Sequence, residues 1–135
     1  MPGSSGTDLE NLRALYDDYA RGDLSRRDLF DPEIESTGVG AWPEGPGEVK
    51  SLEQLSEAMG DWLAAWERPL KVEAEEFIQS GNRILVLIRW KGRGRGSGVE
   101  MEAEGAHLWA FRDGLAIRFD VYRDRDEARA VLEAG

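Results

Sequence analysis

The chain has 135 residues, 41% of them hydrophobic, and a formal net charge of -10. That length suits one domain with one core, and the acidic balance argues against nucleic acid and anionic membrane surfaces, both of which need clustered positive charge. With no cysteine and a single histidine, disulfides, thiolate metal sites and a histidine-rich metal centre are excluded, and no loop has the carboxylate spacing of a calcium or magnesium site.

Residues 1–6 read as a flexible leader, and residues 7–135 as a single domain. Thr7 and Glu10 have capping-box spacing, and Leu9, Leu12, Leu15, Tyr16 and Tyr19 follow as one apolar stripe, so a helix runs from Thr7 to Gly22. Ser25 is placed to cap a short second helix through Phe30, which Asp31-Pro32 stops. Residues 33–37 alternate and predict a strand with Ile34 and Ser36 on one face. Residues 38–47 are rich in glycine and proline and form a loop carrying Trp42, read either as a plug on the core edge or as a ring folded over a ligand.

Ser51 and Gln54 repeat the capping-box pattern. The helix they start presents Leu52, Leu55, Met59, Trp62, Leu63 and Trp66 on one stripe, and Pro69 bars its continuation. Core packing accounts for that spacing, and a ligand wall is the sharper alternative. From Lys71 onward the chain predicts strands. Gly81-Asn82 has the composition of a two-residue hairpin turn, and Ile84-Leu85-Val86-Leu87-Ile88 suggests a strand buried on both faces. Residues 92–98 are glycine-rich but lack the Lys-Ser/Thr ending and following helix of a phosphate loop, so they read as a hairpin tip. With that tip, Arg93 faces Glu100, Lys91 faces Glu102 and Arg89 faces Glu104 on the solvent side, while Trp90, Gly92, Val99, Met101 and Ala103 share the other face.

Residues 107–124 form the central hairpin, two apolar-rich strands around Arg112-Asp113-Gly114, with the lone histidine on the first. A two-residue loop at Asp113-Gly114 sets His107 opposite Asp120. A type I turn closed by a left-handed Gly114 moves the register by one and sets His107 opposite Phe119, Trp109 opposite Ile117 and Phe111 opposite Leu115. The second register is preferred, because it gathers His107, Trp109, Phe111, Ile117, Phe119 and Val121 on one face and leaves Arg118, Asp120 and Tyr122 on the other. Asp124, with Glu127 three residues on, caps a last helix carrying Ala128, Val131 and Leu132. Helices followed by hairpin-linked strands imply an α+β domain. Its curved antiparallel sheet forms a cone against the N-terminal helices, with a cavity inside.

Three stretches resemble a known family: Tyr19-Ala-Arg-Gly22-Asp23 at a helix end, Leu29-Phe-Asp-Pro-Glu-Ile34 leading into a strand, and residues 106–124. They resemble SnoaL-like proteins of the nuclear transport factor 2-like superfamily, and the resemblance covers nearly the whole chain after the leader. It implies the cystatin-like, nuclear transport factor 2-like cone. The superfamily spans ketosteroid isomerases, polyketide cyclases, dehydratases, epoxide hydrolases and non-enzymatic modules, so fold and activity are separate questions. The polyketide cyclases place a histidine where His107 stands and a catalytic acid where this chain has Val121. The ketosteroid isomerases place a base at about Ser36, an aromatic acid roughly at Tyr16 and a second acid near His107 or Leu108. The epoxide hydrolases' Asp-Arg-Asp arrangement has no counterpart on the inward positions.

These residues carry three readings. One is a cofactor-independent isomerase, cyclase or dehydratase acting on a small hydrophobic molecule, with His107 as acid or base and Tyr16 as the hydroxyl that steadies an enolate oxygen. Its substrate would be bound by Tyr19, Trp42, Trp62, Trp66, Trp90, Trp109, Phe119 and Val121, with no metal. The second is a module that binds the same kind of molecule in that aromatic pocket without chemistry. The third is a dimerisation module pairing through a face of Ala106, Leu108, Ala110, Arg118, Asp120 and Tyr122. A homodimer is the expected assembly. No apolar run is long enough to span a bilayer and no signal-peptide pattern is visible, so a cytoplasmic location is expected.

Overall fold

The computed structural model describes residues 4–37 and 48–134, with side chains for residues 8–37, 49–67 and 70–134. Its elements in chain order are α1 (Ser4–Ala20), β1 (Phe30–Thr37), β2 (Glu48–Val49), α2 (Leu52–Leu63), β3 (Trp66–Ser80), β4 (Arg83–Gly94), β5 (Glu100–Arg112), β6 (Leu115–Tyr122) and α3 (Arg125–Ala134). Among the described residues six strands form one sheet, in the order β2-β1-β6-β5-β4-β3. Every pairing is antiparallel except β1 with β6, which is parallel, so the sheet is mixed where an all-antiparallel one was expected. The register shifts within β3, β1 and the β5–β6 pair. Each such irregularity bends its strand and raises the local twist, which curls the sheet into a half-barrel.

The concave face holds the main core. Leu12, Leu15, Tyr16 and Tyr19 of α1 meet Ile34, Leu55, Met59, Val86, Trp109 and Phe119 there. On β4, Ile84, Val86 and Ile88 join this cluster, while Leu85 and Leu87 turn to the convex face and pack with Ala106, Leu108, Ala128 and Leu132. The strand is therefore buried on both faces, as its unbroken apolar run predicts. Because α3 covers Ala106 and Leu108, the face expected to receive a second subunit is partly occupied by the chain's own C-terminal helix.

Local chemistry explains some of the remaining boundaries and a distant partner explains one. Helix α1 begins at Ser4, ahead of Thr7, and takes in part of the expected leader. The short helix expected from Ser25 to Phe30 does not form. Asp23 Oδ1 takes both the Ser25 amide and the Ser25 hydroxyl, and Arg27 bonds the Leu24 and Arg26 carbonyls, so the segment closes on itself as a loop. Ser51 caps α2 by accepting the Gln54 amide, and the Gln54 side chain accepts from Lys50 N. That helix stops at Leu63, and Trp66, expected on its stripe, opens β3. The reason is tertiary. Arg95, in the β4–β5 hairpin, bonds the carbonyls of Ala64, Ala65 and Trp66 through its side chain and amide, occupying acceptors that a longer helix would use internally.

The Gly81-Asn82 turn joins Ser80 to Arg83 as predicted, with Gly81 at φ 62°. The charge ladder also has the expected register, Arg93 opposite Glu100, Lys91 opposite Glu102 and Arg89 opposite Glu104. Arg89 reaches Glu75 and Glu102 as well as Glu104, whereas Lys91 pairs with Glu73 on β3.

The central hairpin follows neither expected register throughout. Asp113 (φ 54°) and Gly114 (φ 81°) are both left-handed, so the connection is a two-residue turn with Arg112 opposite Leu115. A bulge then follows. Phe111 pairs with Ala116 and Ala110 with Arg118, leaving Ile117 unpaired. Beyond it Trp109 lies opposite Phe119, Leu108 opposite Asp120 and His107 opposite Val121. Ala116 takes the buried inward place expected for Ile117. The extra residue sits in the strand rather than the turn, yet the parity is the same, and His107, Trp109, Phe119 and Val121 share one face.

Candidate small-molecule site

Between α1, α2 and the concave side of β3–β6 lies a cavity of about 400 Å³. Its walls follow from strand alternation. Met101, Ala103, Gly105 and His107 are every second residue of β5, Phe119 and Val121 belong to β6, and Ile88 and Trp90 to β4. Helix α1 contributes Tyr19, and α2 contributes Met59 and Trp62. Gly105 permits the curvature, since a Cβ there would lie 2.8 Å from the Tyr122 carbonyl oxygen. Glu104, Tyr122 and Arg123 also border the space; the half-exposed Glu104 carboxylate is held by Arg89.

His107 is the buried polar group of this wall. Its Nδ1 lies 2.5 Å from the Tyr16 hydroxyl, which in turn accepts from Trp109 Nε1 at 3.0 Å. Tyr16 stacks on the imidazole with ring centres 5.8 Å apart, and Phe119 meets it edge-on at 4.9 Å. Burial pulls the His107 pKa from 6.5 down to about 3, so the ring is neutral near pH 7. Burial pushes the Tyr16 phenol well above its usual 10; the neighbouring Tyr19 adds to this and the bond from Trp109 opposes it. Tyr19 is also raised by burial, against the pull of Arg27 and Arg26. Both phenols therefore keep their protons.

Of the residues singled out in the sequence, His107, Tyr19, Trp62, Trp90, Phe119 and Val121 come together on the cavity wall. Tyr16 and Trp109 stand one layer behind, fully inside the core, and touch the cavity through His107. Trp66 packs against Trp90 at 5.0 Å but faces a smaller recess with Arg27, Ser56 and Gly60, so its expected place on the ligand wall is not where the fold puts it. Trp42 lies outside the described residues. Asp120 turns away from the cavity, where Arg118 and Thr37 satisfy its carboxylate. Ser36 is buried and donates its hydroxyl to the Phe119 carbonyl. Among the described residues no three His, Cys, Asp or Glu side chains cluster as metal ligands, and no helix is long and apolar enough to cross a membrane.

Met59, Val72, Ile88, Met101, Ala103 and Gly105 also line the space and were not singled out as binding residues. The parity that places His107 inward also places Met101 and Ala103 inward, so those two were within reach of the sequence. Val72 needed the β3–β4 register, which sets it opposite Trp90.

A curled mixed sheet with helices packed on its concave side makes a cone-shaped α+β domain, and that side holds the cavity lined by one buried imidazole. The chain belongs to the SnoaL-like domain family, whose model matches residues 12–119. No curated protein sequence matches it significantly. Among solved structures it is similar to TerC co-crystallised with polyporic acid, at 20% identity and a TM-score of 0.71, over 93% of this chain and 98% of that one. An NTF2-like protein from Burkholderia pseudomallei is similar at 23% identity and a TM-score of 0.72, over 93% and 96%. A protein with a ketosteroid isomerase-like fold from Catenulispora acidiphila, in complex with trimethylamine, is similar at 15% identity and a TM-score of 0.66, over 87% and 85%. Identities of this size establish a shared fold.

Proposed function

We propose that this SnoaL-like domain holds a small hydrophobic molecule in the cavity against His107. The observation that carries this is the cavity itself, about 400 Å³ with aromatic and aliphatic walls converging with one buried imidazole. Such a combination is the usual form of a small-molecule site. The neighbours crystallised with polyporic acid and with trimethylamine support a ligand-holding role for the fold.

The catalytic form of this reading is isomerase, cyclase or dehydratase chemistry without a cofactor, with His107 touching the substrate and Tyr16 behind it. The hydrogen bond between Tyr16 and Nδ1 supports it, because a positioned imidazole can polarise a carbonyl or steady an enolate oxygen. Binding without turnover is the second reading. It is favoured by the low pKa of His107 and by the engagement of Glu104 with Arg89, which together leave, among the described residues, no acid and base of opposed character facing one another across the hollow. A homodimer in the cytoplasm belongs to the same proposal. Its interface would use the part of the convex face that α3 leaves open, around Arg118, which is 40% exposed.

Trp62 and Trp90 on the wall supply the test. Titration with polyporic acid and with progesterone is expected to change tryptophan emission saturably with at least one of them, and to raise the thermal midpoint. Unchanged emission and midpoint with both would remove the proposal.

A further inference from the structure

His107 faces two environments. Its Nδ1 is engaged by Tyr16, and the ring lines the cavity. An indole N–H can only donate, so the Tyr16 oxygen accepts from Trp109. The phenol's own hydrogen then needs an acceptor inside the core, and among the described residues Nδ1 is the one its bonds reach. A neutral imidazole that accepts at Nδ1 carries its hydrogen on Nε2. The sealed, unpartnered polar side-chain atoms of the described residues are Asp8 Oδ1 and Trp66 Nε1. Nε2 of His107 is not one of them and has no partner among those residues, so it opens on the hollow.

We propose that the Trp109–Tyr16 pair fixes His107 as its Nε2–H tautomer, which makes the imidazole a permanent hydrogen-bond donor on the cavity wall and selects ligands that present a carbonyl or ether oxygen there. The selection rests on the reading of the cavity as a small-molecule site; the tautomer does not. Tyr16 and Trp109 are positioning residues, since neither lines the space. The chain of bonds runs one way. Trp109 cannot accept a proton, and a Tyr16 that passed its proton to Nδ1 would become a phenolate sealed in the core. His107 therefore offers its hydrogen to a ligand oxygen without a reservoir behind it, and a ligand whose polar groups are only N–H donors finds no acceptor on this atom.

The lone histidine makes the test direct. In uniformly 15N-labelled protein the imidazole signals need no assignment between residues. The wild type is expected to show a pyridine-like Nδ1 and a pyrrole-like Nε2 across about pH 5 to about pH 8. The Tyr16→Phe variant is expected to lose that fixed pattern and show averaged nitrogen shifts, a change that a purely space-filling tyrosine would not cause. A wild type with the hydrogen on Nδ1, or with both tautomers exchanging, overturns the proposal without any variant. For selection, 9-fluorenone and fluorene share a shape and differ by the carbonyl. Fluorenone is expected to quench tryptophan emission with about fivefold to tenfold higher affinity, and His107→Phe is expected to erase the difference. Equal binding of both by the wild type overturns the selection. Binding of neither overturns the small-molecule reading and the selection with it, while the nitrogen spectra still decide the tautomer.

Discussion

Tyr16 on α1 and His107 on β5 are 91 residues apart in sequence and share a buried hydrogen bond of 2.5 Å. The bond ties the N-terminal helix to the middle of the sheet, and Trp109 extends it by one partner. Removing the hydroxyl strands an indole N–H and an imidazole nitrogen in the core. Tyr16→Phe is therefore expected to lower stability by about 1–3 kcal/mol, read by urea unfolding, although the ring itself is kept. A loss below about 0.5 kcal/mol would mean that the bond contributes little beyond packing.

Acid should find the same residue. The unfolded chain protonates its histidine near 6.5, while the folded protein holds His107 neutral down to about 3. Between those values the unfolded state carries the extra proton, so the stability present above about pH 6.5 is lost progressively as pH falls and is fully lost near about pH 3. The loss should reach the order of a few kcal/mol. His107→Phe is expected to flatten this part of the stability profile, and identical profiles for variant and wild type would refute it.

Two glycines should respond in opposite directions. A Cβ on Gly105 would lie 2.8 Å from the Tyr122 carbonyl, a backbone atom that cannot swing aside. Gly105→Ala is expected to cost about 1–3 kcal/mol by prying β5 from β6. Gly60, inside α2, has nothing within 4 Å of the same position. Gly60→Ala is expected to gain about 0.5–1 kcal/mol from helix propensity alone. Thermal denaturation of the pair checks both signs.

Arg125, at the start of α3, bonds the Gly105 and Ile88 carbonyls and the Glu75 carboxylate with one guanidinium. A lysine ammonium cannot span three acceptors laid out for a planar fork. Arg125→Lys is expected to cost about 1–2 kcal/mol and to speed amide exchange in α3 selectively. Unchanged exchange there would show that Ala128 and Leu132 hold the helix unaided.

Ala103 lines the cavity directly across the β4–β5 ladder from Trp90. Ala103→Phe projects a ring into open space, so affinity for any cavity ligand should fall by about tenfold or more while the unfolding midpoint stays near wild type. Retained affinity would place the ligand elsewhere.

The sequence by itself determined what depends on near neighbours. Period-2 alternation set which side chains share a face along β5, and along β6 beyond the bulge at Ile117. The Gly81-Asn82 turn, the charge ladder beyond Arg89 and the Asp124 cap, which accepts the Asp126 and Glu127 amides, follow from residues a few positions apart. The parity of the central hairpin turned His107 inward, and the resemblance of three stretches to a known family supported the cone. The tertiary structure decided what depends on distant partners. Arg95 ends α2 and sends Trp66 into a strand. The bulge at Ile117 sits where β6 must also pair with β1, and the carbonyl of Leu29, just ahead of that strand, takes the Ala116 amide. Tyr16 finds His107 because the curl of the sheet brings β5 beneath α1. Local sequence encodes which way a side chain points from its own strand; which group it meets depends on how the whole sheet bends and closes.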